Sequence, residues 1–179
     1  MKTVIATVLM YIAFNTWAMC QNAGHAPDKT KMAIFSSWEG KWKGEGTMQQ
    51  GPGPAKKSTV EENIEMKLDG MILTVEGIGK MAEGPDQGKV VHHAFGVLFY
   101  DQVTQKYKFR SHLVDGRSTD AWFDVTGDNK YQWGFDVPSG KIRYTIVLDA
   151  TAKKWNEVGE FSADGNSWHK FFEMNLTKI

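Results

Sequence analysis

The stretch FSSWEGKWKGEGTM, residues 35–48, sets two indoles among three glycines with charged residues between them. On GKWKGEG the period is two: Trp42, Gly44 and Gly46 fall on one face, Lys41, Lys43 and Glu45 on the other. Strict alternation of this kind is the signature of a half-buried β-strand. A tryptophan followed by two inward glycines suits the first strand of a barrel. Trp42 would plug the floor, and Gly44 and Gly46 would let the strand bend and leave room inside.

The same period continues to the C-terminus. KYQWGFDV puts Tyr131, Trp133, Phe135 and Val137 on one side, and KIRYTIVL puts Ile142, Tyr144, Ile146 and Leu148 inward. Tyr107 and Phe109 face inward on QKYKF. Turn signals separate these runs at 51–54, Asp69-Gly70, 83–88, 101–105, Asp115-Gly116, 126–129, 138–140, 149–153 and Asp164-Gly165. Nine turns delimit ten strands, each reachable from the last by a hairpin, and closure into a barrel removes the exposed edges of so long a meander. The expected fold is therefore all-β, a ten-stranded up-and-down antiparallel barrel spanning residues 35–179. One segment before it, Asp28 to Trp38, can place Met32, Ala33, Phe35 and Trp38 on one helical face across a barrel end.

Composition narrows the function classes. With 179 residues, 41% of them hydrophobic, the chain suits one domain with a sizeable core. Its 21 basic and 21 acidic residues balance, so no charge excess favours nucleic acid or an anionic membrane surface. The first twenty residues carry one charge, Lys2, before the apolar run TVIATVLMYIAF, in the manner of a secretory signal peptide. That run is too short for a membrane span. Cleavage would follow Ala18 or Cys20; a lipid anchor on Cys20 is the alternative. Residues 21–34 then read as a flexible lead-in and the start of the short helix, with His25 as spacer. The expected location is periplasmic or extracellular, and the expected state monomer or homodimer.

Polar residues on otherwise apolar faces mark the candidate site. Glu62 shares a face with Val60, Ile64, Met66 and Leu68. Glu157 lies between Trp155 and Phe161, and Lys170 falls with Trp168, Phe172, Met174 and Leu176. Buried charges are costly unless paired, so these three suggest an internal ion pair or a ligand-accepting cavity. If Asp69-Gly70 and Asp164-Gly165 close tight turns, Glu62 faces Gly77 and Lys170 faces Gly159. Phe109, Trp133 and Tyr144 would supply apolar walls, with Glu62, Glu157 and Lys170 as orienting contacts for a small, mostly apolar ligand.

Other chemistries find less in the sequence. His92 and His93 are adjacent and point to opposite faces, His112 and His169 fall on outer faces, and no zinc-like spacing occurs, so no metal is assigned. No G-x-S-x-G elbow is present, and Gly77-Ile78-Gly79 lacks the further glycine and helix of a dinucleotide loop. No catalytic residue is assigned; the enzymatic alternative is a hydrolase or isomerase with Glu62 or Glu157 as general base.

Gly40-Lys41-Trp42 resembles the G-x-W signature that opens the first strand of lipocalins and their calycin relatives. The longer WEGKWKGEG is similar to nitrobindin-like barrels and to an exported bacterial family of unknown function. That family carries a GxWxGxG opening, an LDG turn like Leu68-Asp69-Gly70, a GxxxYD segment like Gly96–Asp101 and a DGxxW hairpin like Asp164–Trp168. The resemblance implies a calycin-like barrel. Two departures stand out. The lipocalin pattern has a late arginine stacked on the first-strand tryptophan, whereas the last arginine here, Arg143, points outward. Nitrobindin-like barrels hold haem through a late-strand histidine, for which His169 is the nearest candidate; no cofactor is assigned beyond that haem alternative.

Overall fold

The computed structural model describes residues 28–49 and 51–179. The expected signal segment, Cys20 and residues 21–27 lie outside them. Ten strands follow in chain order: β1 (Gly40–Met48), β2 (Lys56–Lys67), β3 (Ile72–Met81), β4 (Val90–Asp101), β5 (Lys106–Leu113), β6 (Ser118–Gly127), β7 (Lys130–Val137), β8 (Gly140–Asp149), β9 (Lys154–Ser162) and β10 (His169–Lys178). Each pairs antiparallel with its neighbours, and β10 returns to β1 to close the barrel. The closing register runs from Trp42 opposite Lys178 to Met48 opposite Phe172. The nine turns read from the sequence are the nine places where the chain reverses.

Before β1, α1 (Thr30–Ala33) and a 3-10 turn over Ser36–Trp38 lie across one barrel end. Met32, Phe35 and Trp38 from this segment are wholly buried. Ala33, expected on the same face, is exposed, because helical spacing lasts only one turn before the chain changes to 3-10 geometry. Two hydrogen bonds fasten the segment to the barrel. Tyr107 donates to the Lys31 carbonyl at 2.7 Å, and the Lys178 ammonium donates to the Ser37 carbonyl at 3.1 Å.

The core concentrates at this end. The Phe35 ring lies 5.5–5.6 Å from the rings of Trp38, Tyr107, Phe123 and Tyr131, most of them edge-on, the arrangement that ring quadrupoles favour. Trp42 is buried as expected; its indole N–H donates to the Trp38 carbonyl at 2.7 Å, and its ring meets Trp155 at 5.7 Å. Lys178 stands 5.4 Å over the Trp42 ring, a cation against the face of the buried indole. Arg143 is outward, covering Trp168 at 4.0 Å and bonded to Glu160.

Parity expectations fail at two strand ends. Leu68 belongs to the β2–β3 turn with φ of 48° and is exposed. Trp168 stays in the β9–β10 loop under Arg143, on the outer face. Lys170 is exposed and bonds Glu173 at 2.8 Å. The last two share one cause: β10 pairs Lys170 with Glu160 but Phe172 with Gly159, a bulge at Phe171. One extra residue reverses the facing of everything beyond it.

Candidate functional site

Above the filled floor the barrel encloses a cavity of about 170 Å³ that reaches the opposite end, where Met48, His92 and Phe172 belong to its lining. The space originates on one wall. Gly77 of β3 pairs with Ala94 of β4, and Gly96 of β4 with Ser111 of β5, so a strip of minimal side chains crosses three strands. The facing wall is large and aromatic, from Trp133, Tyr144, Trp155 and Phe172.

Glycines also set how the large side chains lie. An added Cβ at Gly77 would sit 2.6 Å from both Glu62 carboxylate oxygens, one at Gly96 would sit 2.5 Å from the Phe109 ring, and one at Gly159 would sit 2.8 Å from the Tyr144 ring. Each side chain lies down over the neighbouring strand where a glycine leaves the sheet bare, instead of pointing at the barrel axis. The cavity is what this folding-back vacates. Gly44 and Gly46, expected to open the interior, have another task. A Cβ on Gly44 would lie 2.0 Å from the Asn175 carbonyl of β10, so glycine permits the close seam at barrel closure, and Gly46 sits against Ser58 and Val60. Neither lines the cavity.

Of the six residues expected at the ligand, five line it: Glu62, Phe109, Trp133, Tyr144 and Glu157. Lys170 does not, for the reason given above. Glu62 stands opposite Gly77, the pairing that a tight Asp69-Gly70 reversal requires. Residue 159 faces Phe172 rather than Lys170. The Trp133 and Tyr144 rings stack at 4.1 Å and 10°, and Phe109 meets Trp133 edge-on at 5.0 Å. His92 was read from the sequence only as a failed metal ligand, yet it lines the cavity mouth. Alternation along β4 places it on the same face as Ala94 and Gly96, which is the signal that could have found it.

The electrostatics are one-signed. Glu157 is buried and accepts a hydrogen bond from the Trp133 indole N–H at 2.9 Å. Burial pushes its carboxyl up to about 7, against the pull of the Trp133 N–H and, from beyond hydrogen-bond geometry, the Trp155 N–H. Glu62 has no hydrogen-bond donor among the described residues; desolvation, with a smaller push from Glu157, raises it to about 8. The surface Glu62 keeps open is turned to the cavity, which is why it is part-exposed by area yet poorly solvated. Burial also raises Tyr144, with Glu157 adding to it. His92 is held below its ordinary value, first by desolvation and then by His93 and Arg117. No lysine or arginine belongs to the lining.

Such a site can enclose an apolar body and offer acceptors to it. Among the described residues no three His, Cys, Asp or Glu side chains converge to hold a metal ion, and no helix is long and apolar enough to cross a membrane. The same bulge sets His169 opposite Phe161, on the inner-face register rather than the expected outer one, but at the end of β10 it is exposed and is not among the lining residues.

The fold has solved counterparts. The chain is similar to Rv2717c from M. tuberculosis, with a TM-score of 0.62 at 12% identity, over 87% of this chain and 99% of that one. It is also similar to the S-type phycobiliprotein lyase CPES from Guillardia theta, with a TM-score of 0.56 at 9% identity, over 86% and 98%. At these identities the likeness is one of fold, a calycin-like barrel. No protein-family model and no curated protein sequence matches the chain.

Proposed function

We propose that this barrel binds a small, mostly apolar molecule in its interior, and that it does so as an exported protein in the periplasm or outside the cell. One observation carries the binding reading: a strip of small residues on β3–β5 leaves 170 Å³ of space facing stacked aromatic rings. Pockets of this character, apolar with a few placed polar groups, are the usual small-molecule sites. The solved counterparts support it at the level of fold, where one is a phycobiliprotein lyase by its printed name. Export rests on the charged start and apolar run of the first twenty residues. The test is native mass spectrometry of protein purified from its own host: a small co-purifying adduct is expected inside a mature chain lacking those twenty residues. A bare chain whose Trp fluorescence no apolar probe alters would sink the binding reading, and an intact N-terminus would sink export.

A second reading has its own observation. Glu62 has no hydrogen-bond donor among the described residues and burial pushes its carboxyl up to about 8, the condition of a general base in a hydrolase or isomerase. Turnover with a bell-shaped pH profile against a substrate panel would support it; a binder gives none. Haem finds little support, since His169 is exposed outside the lining and 170 Å³ is small for a porphyrin. Haemin titration with no shifted Soret band is expected.

A further inference from the structure

We propose that the molecule held in the barrel is a compact lipophilic amine, its ammonium seated between Glu62 and Glu157 and its ring or alkyl body against Trp133, Tyr144 and Phe109. The inference rests on the binding reading above and gives it a ligand class.

Four observations converge on it. Among the described residues the lining carries two carboxyls and no lysine or arginine, so apart from His92 it offers no cationic partner to an entering carboxylate or phosphate. Glu62 lies over Gly77, belongs to the cavity lining and has no donor among the described residues. A buried acceptor without a partner is costly, and a ligand N–H removes that cost. Glu157 takes a single hydrogen bond, from Trp133, leaving acceptor capacity for a second donor. The stacked Trp133–Tyr144 pair and Phe109 offer ring surface, and ring faces attract cations. Size sets the remaining limit: a cavity of about 150 Å³ elsewhere holds benzene, so 170 Å³ takes one ring and a short arm.

In the empty protein desolvation disfavours charge, so near pH 7.5 the pair keeps about one of its two protons, chiefly on Glu62. An arriving ammonium reverses that preference, so binding expels a proton to solvent. The titratable groups that face the pair from the packed strands are Tyr144 and His92. Tyr144 stays protonated throughout, and His92 opposes cation entry when charged.

Calorimetry at pH 7.5 with three probes of one shape tests the idea: 2-phenylethylamine, 2-phenylethanol and 3-phenylpropanoate. The amine is expected to bind about 10- to 100-fold more tightly than the alcohol, the range of a charge-assisted hydrogen bond, with the carboxylate weakest. In Glu62→Gln the ratio of amine to alcohol affinity should fall toward one. If that variant does not fold, the wild type still decides, because amine binding in buffers of different ionisation heat should reveal net proton release. Equal affinities for amine and alcohol, or no proton release, overturn the amine class and leave the cavity reading standing. Absence of binding by all three overturns the cavity reading, and the amine with it.

Discussion

Around the floor, Phe35 is enclosed by four rings and Trp42 shares its indole hydrogen with the Trp38 carbonyl. Around the cavity, Glu62 lies flat on Gly77 with no donor to it among the described residues. Both regions belong to the same strands and obey the same alternation, separated by a few residues of strand length. The difference is where the glycines stand. At the floor the inward positions are mostly large and an N-terminal segment fills the remainder; higher up, glycine, alanine and serine on β3–β5 withhold that volume. Stability is thus drawn mainly from one half, which frees the other to keep polar groups and empty space that a uniformly packed core would not tolerate.

The largest effects should come from the floor. Trp42→Ala or Phe35→Ala should destabilise by about 3–5 kcal/mol in urea unfolding, the usual cost of deleting a core aromatic. A loss below about 1 kcal/mol would erase the contrast.

Next is the acid pair. The unfolded chain releases protons from Glu62 and Glu157 near 4.5, whereas the folded barrel retains them until about 7 to 8. Below 4.5 neither state is charged and the pair costs nothing; as pH rises through that window, stability is lost. His92, held below 6.5, has the opposite sense and weakens the fold as pH falls through that value, so the fall between 6.5 and 8 belongs to the carboxyls. Glu62→Leu should flatten the profile measured by thermal unfolding against pH, and an unchanged slope would show that the interior is better solvated than its lining implies.

A smaller effect sharpens the comparison. Ala94→Leu fills the small-residue strip and should block uptake of 2-phenylethanol while altering stability by less than about 1.5 kcal/mol, because it occupies space rather than displacing core. A large destabilisation would mean that the strip is already packed. Smallest of all, Lys170→Ala should change stability by under about 0.5 kcal/mol and leave probe binding as it was, since its bond to Glu173 is solvent-exposed.

The legibility of the sequence follows the same division. Alternation is a local property, so wherever a strand ran unbroken the inward face could be read directly, and Glu62 opposite Gly77 followed from counting back from one reversal. The bulge at Phe171 has no such local mark: it depends on how β10 meets β9, and it turned Lys170 outward. The glycines divide for a related reason. An inward glycine spells spare volume only if no neighbour fills it, and residue 44 is filled by the backbone of a strand some 130 positions away. Lys178 over Trp42 escaped notice because the contact joins the two ends of the chain.

That joining has a consequence in time. The ladder from Trp42 to Lys178 spans nearly the whole polypeptide, and the Ile179 amide bonds the Lys41 carbonyl beside it. Residues 169–178 must therefore be made before the ring can shut. Until then β1 keeps a bare edge, and such distant pairings form slowly. The edge of β1 stays unzipped until β10, His169–Lys178, is available to pair with it.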